Sequence, residues 1–197
     1  QALIHGDLHT GAIMVTESDT RVIDPEFACV GPIGFDLGAL IANLLMNYLA
    51  QDGHEAAPGA RDSYREWVLG AAESFWAEYR RKFLALWRAH GVGDGYPKAM
   101  FADSEGERRL EIERAAYLDR LFTDMLGFAG VKMIRRIFGL AHNIDFEWIK
   151  DPTPRARCEA RALTLARDLI LGETPIRTLG DVCEAARKLR RWPPPLG

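Results

Sequence analysis

Two acidic motifs, each set directly behind a short β-favouring run, constrain this chain more than any other feature. The first is His5-Gly6-Asp7-Leu8-His9, which follows the apolar Ala2-Leu3-Ile4. The second is Val22-Ile23-Asp24-Pro25-Glu26. Between them lie Ile13-Met14-Val15-Thr16 and Arg21-Val22-Ile23-Asp24, separated by the turn-forming Glu17-Ser18-Asp19-Thr20. The pattern predicts a β-hairpin whose arms begin and end beside the two motifs. The hairpin then sets the separation of the acids.

The remainder reads as helix. Residues 35–50 are apolar on most faces, as in a buried central helix, and Asn43 and Asn47 interrupt the run. Residues 51–60 contain Gly and Pro and read as a loop. Residues 63–90 place Tyr64, Trp67, Val68, Ala71, Phe75, Tyr79, Phe83 and Trp87 at helical spacing, in one long helix or two. Residues 91–95 break that pattern. Further helices are expected over 107–128, 131–143, 154–171 and 179–190, and Trp192-Pro193-Pro194-Pro195 cannot continue a helix. The expected fold class is mostly α (α+β), a single domain over 1–197, with a small β-hairpin carrying both motifs.

Composition excludes several partners. The net charge of −3 gives no basic footprint for nucleic acid. No apolar run approaches the roughly 20 residues that span a bilayer. No leader segment follows Gln1, and the chain reads as an internal start. Cys29, Cys158 and Cys183 are too widely spaced for a metal site or a disulfide framework, and read as thiols in a reducing cytoplasm.

Acids in this arrangement suit phosphoryl transfer, which needs a positioned nucleophile and cations on the phosphates rather than covalent help. Asp7 lies in a loop between Gly6 and Gly11, short enough to meet a substrate hydroxyl and orient or accept its proton. Asp24 follows Val22-Ile23, read as a buried strand. Glu26 lies two residues on, and in an extended segment such residues point the same way. Both carboxylates would then face one Mg²⁺, a hard cation that takes oxygen ligands.

The resemblance that follows is specific. His5-Gly6-Asp7-Leu8-His9-Thr10-Gly11-Ala12-Ile13-Met14, Asp24-Pro25-Glu26-Phe27-Ala28 and Gly31-Pro32-Ile33-Gly34-Phe35-Asp36-Leu37-Gly38 resemble the 5-methylthioribose kinases. Those enzymes stand beside the aminoglycoside and choline phosphotransferases in the protein-kinase-like superfamily. The resemblance extends to Lys132-Met133-Ile134-Arg135-Arg136-Ile137 and Gly139-Leu140-Ala141-His142. It implies the C-terminal lobe of a kinase whose ATP-clamping N-terminal lobe is absent. The implied reaction is ATP-dependent phosphorylation of 5-methylthioribose at its anomeric hydroxyl, in methionine salvage.

By that resemblance Asp7 is the catalytic base, and Asp24 and Glu26 hold Mg²⁺. Arg135 and Arg136 lie near the sugar and the transferred phosphate, where a planar guanidinium suits paired hydrogen bonds. Adjacent residues of a helix diverge by about 100°, so one arginine reaches the site while the other braces it. His5 supports the loop by packing and hydrogen bonding, and His9 lines the site or supports it. Asp36 caps the central helix or braces the catalytic loop. Trp67, Trp76, Trp87 and Trp148 are expected in the core or an interface. The family also implies a cytoplasmic homodimer.

Ala12 departs from the wider superfamily, where an Asn at this point binds a second metal; Glu26 is expected to supply that ligand. Two alternatives stand beside the main reading. One is a related phosphotransferase for an aminoglycoside, choline or homoserine. The other is a non-catalytic, kinase-derived binding module. The glycine-rich loop and strand lysine that hold ATP are not among these residues, so the 197 residues alone are expected to show little or no turnover.

Overall fold

The computed structural model describes residues 1–90, 96–172 and 175–191. The expected break at 91–95 and the proline-rich stretch 192–195 lie outside the described residues. Four short strands lead the chain: β1 (Ala2–Ile4), β2 (Ile13–Val15), β3 (Thr20–Val22) and β4 (Cys29–Gly31). Helices follow: α1 (Gly34–Ala50), α2 (Asp62–Ala89), α3 (Ser104–Phe138), α4 (Ile144–Glu147), α5 (Pro152–Leu171) and α6 (Leu179–Arg191). The fold is mostly α with a small β-hairpin, as the sequence predicts.

The hairpin is β2 against β3, antiparallel, with Ile13 opposite Val22 and Val15 opposite Thr20. The Thr16 amide donates to the Asp19 carbonyl at 2.8 Å and closes the turn. The sequence does not foretell the pairing of β1 with β4, in which Ala2 lies opposite Gly31 and Ile4 opposite Cys29. This second ladder closes the base of the whole 5–28 stretch, so both acidic motifs rise from one clamp.

Two expectations about the second motif need correction. β3 is exposed rather than buried, with Val22 56% and Ile23 43% accessible. Asp24 is also not extended: its φ of 65° lies in the left-handed region, and the Ala28 amide returns to the Pro25 carbonyl at 3.0 Å in a tight turn. The ladder ends at Val22, so the two-residue alternation of a strand does not govern how Asp24 and Glu26 point.

α1 is the buried axis. Leu37, Ile41, Leu45, Met46 and Leu49 sit in the core, packed against α3, α2 and α5. α1 and α3 cross closely at Gly38, where a Cβ would lie 2.6 Å from the Met125 carbonyl oxygen. The helices expected at 107–128 and 131–143 are one helix, α3, which runs through 129–130. Gly130 reads as a break, yet it serves a crossing with α5: a Cβ there would lie 2.6 Å from the Ala166 carbonyl oxygen. Packing against α1 and α5 outweighs the roughly 1 kcal/mol that an interior glycine costs a helix.

α3 stops at Phe138, short of the expected 143. Asn143 instead caps α4, its Oδ1 accepting from the Asp145 amide at 3.0 Å. Among the tryptophans, Trp76 is core and Trp87 lies half-buried against Phe83 and Tyr117. Trp67 and Trp148 are 65% and 64% exposed, so neither belongs to the core. All three cysteines are free. No helix among the described residues is long and apolar enough to cross a membrane.

Candidate active site

The loop after β1 is shaped by its own backbone. Gly6 takes a φ of 87°, and a Cβ on it would fall 2.2 Å from the Phe27 carbonyl oxygen. Only glycine accepts both that dihedral and that approach. The loop bearing Asp7 and the turn bearing Asp24 and Glu26 therefore touch backbone to backbone.

Asp36 holds the loop from below. Its Oδ2 accepts from the His5 amide at 2.5 Å and its Oδ1 from the Gly6 amide at 3.0 Å. Of the two roles expected for Asp36, bracing is the one realised, since α1 has no side-chain cap. His5 works in the same frame. Its Nδ1 accepts from the Asp7 amide at 3.4 Å, which leaves a proton on Nε2 to donate to the Ile23 carbonyl at 2.8 Å. His5 thus ties the Asp7 loop to the strand that leads into Asp24.

Asn43, two helical turns beyond Asp36, accepts from Thr10 through both its amide (3.3 Å) and its hydroxyl (2.5 Å). Asn47, one turn further, donates to Asp145 Oδ1 at 2.9 Å. Asp36, Asn43 and Asn47 form a polar seam along an otherwise buried helix. The two asparagines that interrupt the apolar run were the sequence signal for it.

Asp7 itself meets α3. Lys132 Nζ donates to Asp7 Oδ1 at 2.5 Å, and Arg136 Nη2 to Oδ1 and Oδ2 at 3.2 and 3.4 Å. Lys132 and Arg136 are four residues apart and share a helix face. His9 Nε2 lies 4.0 Å from Asp7 Oδ2, while its Nδ1 accepts from the Gly11 amide at 3.1 Å. Burial raises the Asp7 pKa, but the Lys132 hydrogen bond and charge, with Arg136 and His9, outweigh it and hold the carboxyl below its ordinary range. Asp7 is an anion with directional access.

Of the arginine pair, the structure brings Arg136 to Asp7. Arg135 is exposed, and its carbonyl accepts from the Gly139 amide at 2.8 Å where α3 ends. Lys132 was not singled out by sequence reasoning. Its side chain is only 7% exposed, a burial lysine rarely reaches without a partner, and its spacing from Arg136 was the available hint.

Asp24 and Glu26 are exposed on their turn. No group of three or more metal-ligating side chains occurs among the described residues. Two free carboxylates fit Mg²⁺, which keeps several waters and commonly takes one or two protein carboxylates along with substrate phosphates. Ala12, at the position where relatives of the wider superfamily place an Asn, is 2% exposed and packs beneath the loop.

Beside Asp7 opens a cavity of about 300 Å³ lined by His9, Thr10, Asn43, Arg136, His142 and Asp145, among others. It joins the loop that follows Asp7, the α1 seam, α3 and the start of α4.

Comparison with known proteins bears on this geometry. Residues 1–67, which hold both motifs, match the model of the phosphotransferase enzyme family. The chain is 46% identical over 184 residues to methylthioribose kinase 1 of Oryza sativa subsp. japonica, covering 92% of this chain and 42% of that protein. It is 40% identical over 187 residues to the methylthioribose kinase of Escherichia coli O45:K1, covering 95% of this chain and 44% of that one. A Bacillus cereus methylthioribose kinase is 40% identical over 174 residues, covering 88% of this chain and 39% of that protein. The chain thus spans about two fifths of the length of the curated relatives it matches. The resemblance read from the motifs is borne out: over nearly all of its own length the chain is similar to methylthioribose kinases, and through its two acidic motifs to the phosphotransferase enzyme family.

Proposed function

We propose that this chain is the acceptor- and metal-holding part of a kinase that uses ATP to phosphorylate 5-methylthioribose, giving 5-methylthioribose 1-phosphate in methionine salvage. The observation that supports it most is an anionic Asp7 gripped on one oxygen by Lys132 and bonded by Arg136, a residue that also lines the neighbouring cavity, in a chain similar to methylthioribose kinases.

In this reading the acceptor hydroxyl meets Asp7 Oδ2, the oxygen turned toward His9 and away from Lys132. Asp7 orients the hydroxyl and takes its proton as the bond to the γ-phosphorus forms and the bond from that phosphorus to the bridging oxygen of ADP breaks. Arg136 neutralises charge on the transferred group through its second face. Asp24 and Glu26 would hold Mg²⁺, which when bound offsets charge on the nucleotide phosphates. Asp36 and Asn43 keep the loop from yielding when substrate arrives. The nucleotide is held from above by a second lobe of the same protein, and the 197 residues by themselves show little turnover.

ADP release tests the reading, in a polypeptide that carries a nucleotide-holding lobe as well. Methylthioribose, choline, homoserine and kanamycin are offered side by side. Turnover with methylthioribose alone supports the proposal. Turnover with another acceptor keeps the Asp7 site but discards the substrate.

A further inference from the structure

Asp145 stands out among the acids that the phosphate chemistry does not use. It lies at the start of α4 and lines the cavity beside Asp7. Its position is determined by three neighbours. Asn47 donates to its Oδ1, and Gln51 Nε2 in turn donates to the Asn47 carbonyl at 2.9 Å and to Asn47 Oδ1 at 3.2 Å. The Asp145 amide donates to Asn143, and the Asp145 carbonyl lies 2.7 Å from His54 Nε2. Its Oδ2 accepts no hydrogen bond within 3.5 Å among the described residues, and the Asn143 side chain also favours the carboxylate.

No cation reaches this carboxylate within salt-bridge distance among the described residues; only neutral amides and the more distant His54 offset its burial. Its pKa is raised, chiefly by burial and against the Asn47 and Asn143 hydrogen bonds. A half-buried acid shifted in that direction ionises at a cost to the fold. Asparagine would keep the Asn47 contact without the cost. A pinned carboxylate with an oxygen that takes no close hydrogen bond, lining a ligand-sized cavity, is matched to hydroxyl donors, and a carboxylate accepts from two neighbouring hydroxyls at once.

We propose that Asp145 is the residue that recognises the acceptor's ring hydroxyls: it selects a furanose with vicinal hydroxyls, with Asn43 on the facing wall, and delivers the remaining hydroxyl toward Asp7. This rests on the reading of the cavity as the acceptor site of a methylthioribose kinase.

The test uses Asp145→Asn and Asp145→Ser in a polypeptide that carries the nucleotide-holding lobe, with methylthioribose and its 2-deoxy and 3-deoxy analogues as acceptors. With methylthioribose, Asp145→Asn is expected to raise the acceptor KM by about tenfold or more, the size of a lost hydrogen bond to a charged group. The KM for ATP and the melting temperature should hold or, for the latter, rise. One deoxy analogue should lose far less from the substitution, because its missing hydroxyl is the one Asp145 bound. An equal loss with all three acceptors, or an unchanged KM, overturns the inference while leaving the kinase reading intact. Should Asp145→Asn lower the melting temperature, Asp145→Ser decides by the same analogue comparison. No turnover of methylthioribose by the unsubstituted protein removes the kinase reading, and the inference with it.

Discussion

Two opposing influences act on the chemistry of Asp7. Burial favours its neutral form, while Lys132, Arg136 and His9 favour its anion, and the cations prevail. The sign follows: a carboxyl held below its ordinary range keeps its ionic contacts at neutral pH and loses them as pH falls through the lowered value. Activity should therefore persist well into acid. We expect Asp7→Asn to cut kcat by about 10²–10⁴ with ATP binding little changed, the usual worth of a general base. Lys132→Met should move the acid limb of kcat/KM to higher pH, whereas Lys132→Arg should leave the limb in place. A pH–rate profile of the three proteins checks this, and an unmoved limb in Lys132→Met would remove Lys132 from the control of Asp7. His5 and Asp36 are legible in the sequence only as neighbours of the motif. Their roles emerge from hydrogen bonds that span 18 and 31 residues.

At the scale of the elements, α1 does two jobs on two faces. One face is core, and the other carries the Asp36, Asn43 and Asn47 seam that grips the Asp7 loop and α4. The helix was legible because its apolar run is long. The purpose of its asparagines was not, because a polar residue in a buried helix signals a partner without naming it. α1 and α3 can approach only because Gly38 presents no Cβ to the Met125 carbonyl. Gly38→Val should push the helices apart and lower stability by about 1–3 kcal/mol or more, the cost of overpacking, read as a lower urea midpoint. Since α3 also carries Lys132 and Arg136, the same substitution should weaken turnover in whatever protein remains folded. The sequence suggests two helices, over 107–128 and 131–143, where α3 is continuous, for a local reason: glycine punctuates most sequences, and only the contact of Gly130 with α5 shows that here it packs.

Across the whole molecule the helices are tied by a charge cluster remote from Asp7. Asp52, just beyond α1, accepts from Arg65 of α2, Arg161 of α5 and Arg190 of α6. Arg65 also pairs with Glu55 and Asp62, and Arg190 with Asp62. Three cations and three anions balance, and the Arg65 side chain is only 1% exposed. Breaking such a group by removing one partner strands buried positive charge. Asp52→Ala should cost about 3–5 kcal/mol, measured by chemical unfolding, and a loss under about 1 kcal/mol would show that the cluster is dispensable. The buried thiols belong to the same interior: burial pushes Cys158 up to about 11 and Cys183 up to about 12, so both stay protonated and unreactive at neutral pH.

The sequence by itself determined the two acidic motifs, the hairpin between them, the helical majority and the buried α1. Each of these is written in local periodicity, turn chemistry or spacing, which short stretches of chain carry on their own. Only the tertiary structure decided that Lys132 and Arg136 close on Asp7 across 125 and 129 residues, and that Arg136 rather than Arg135 does so. It alone decided that Asn47 positions Asp145 across 98 residues and that β1 pairs with β4. Contacts at such separations depend on which helix faces meet in the packed core, and that meeting leaves no periodic mark in the residues that make it.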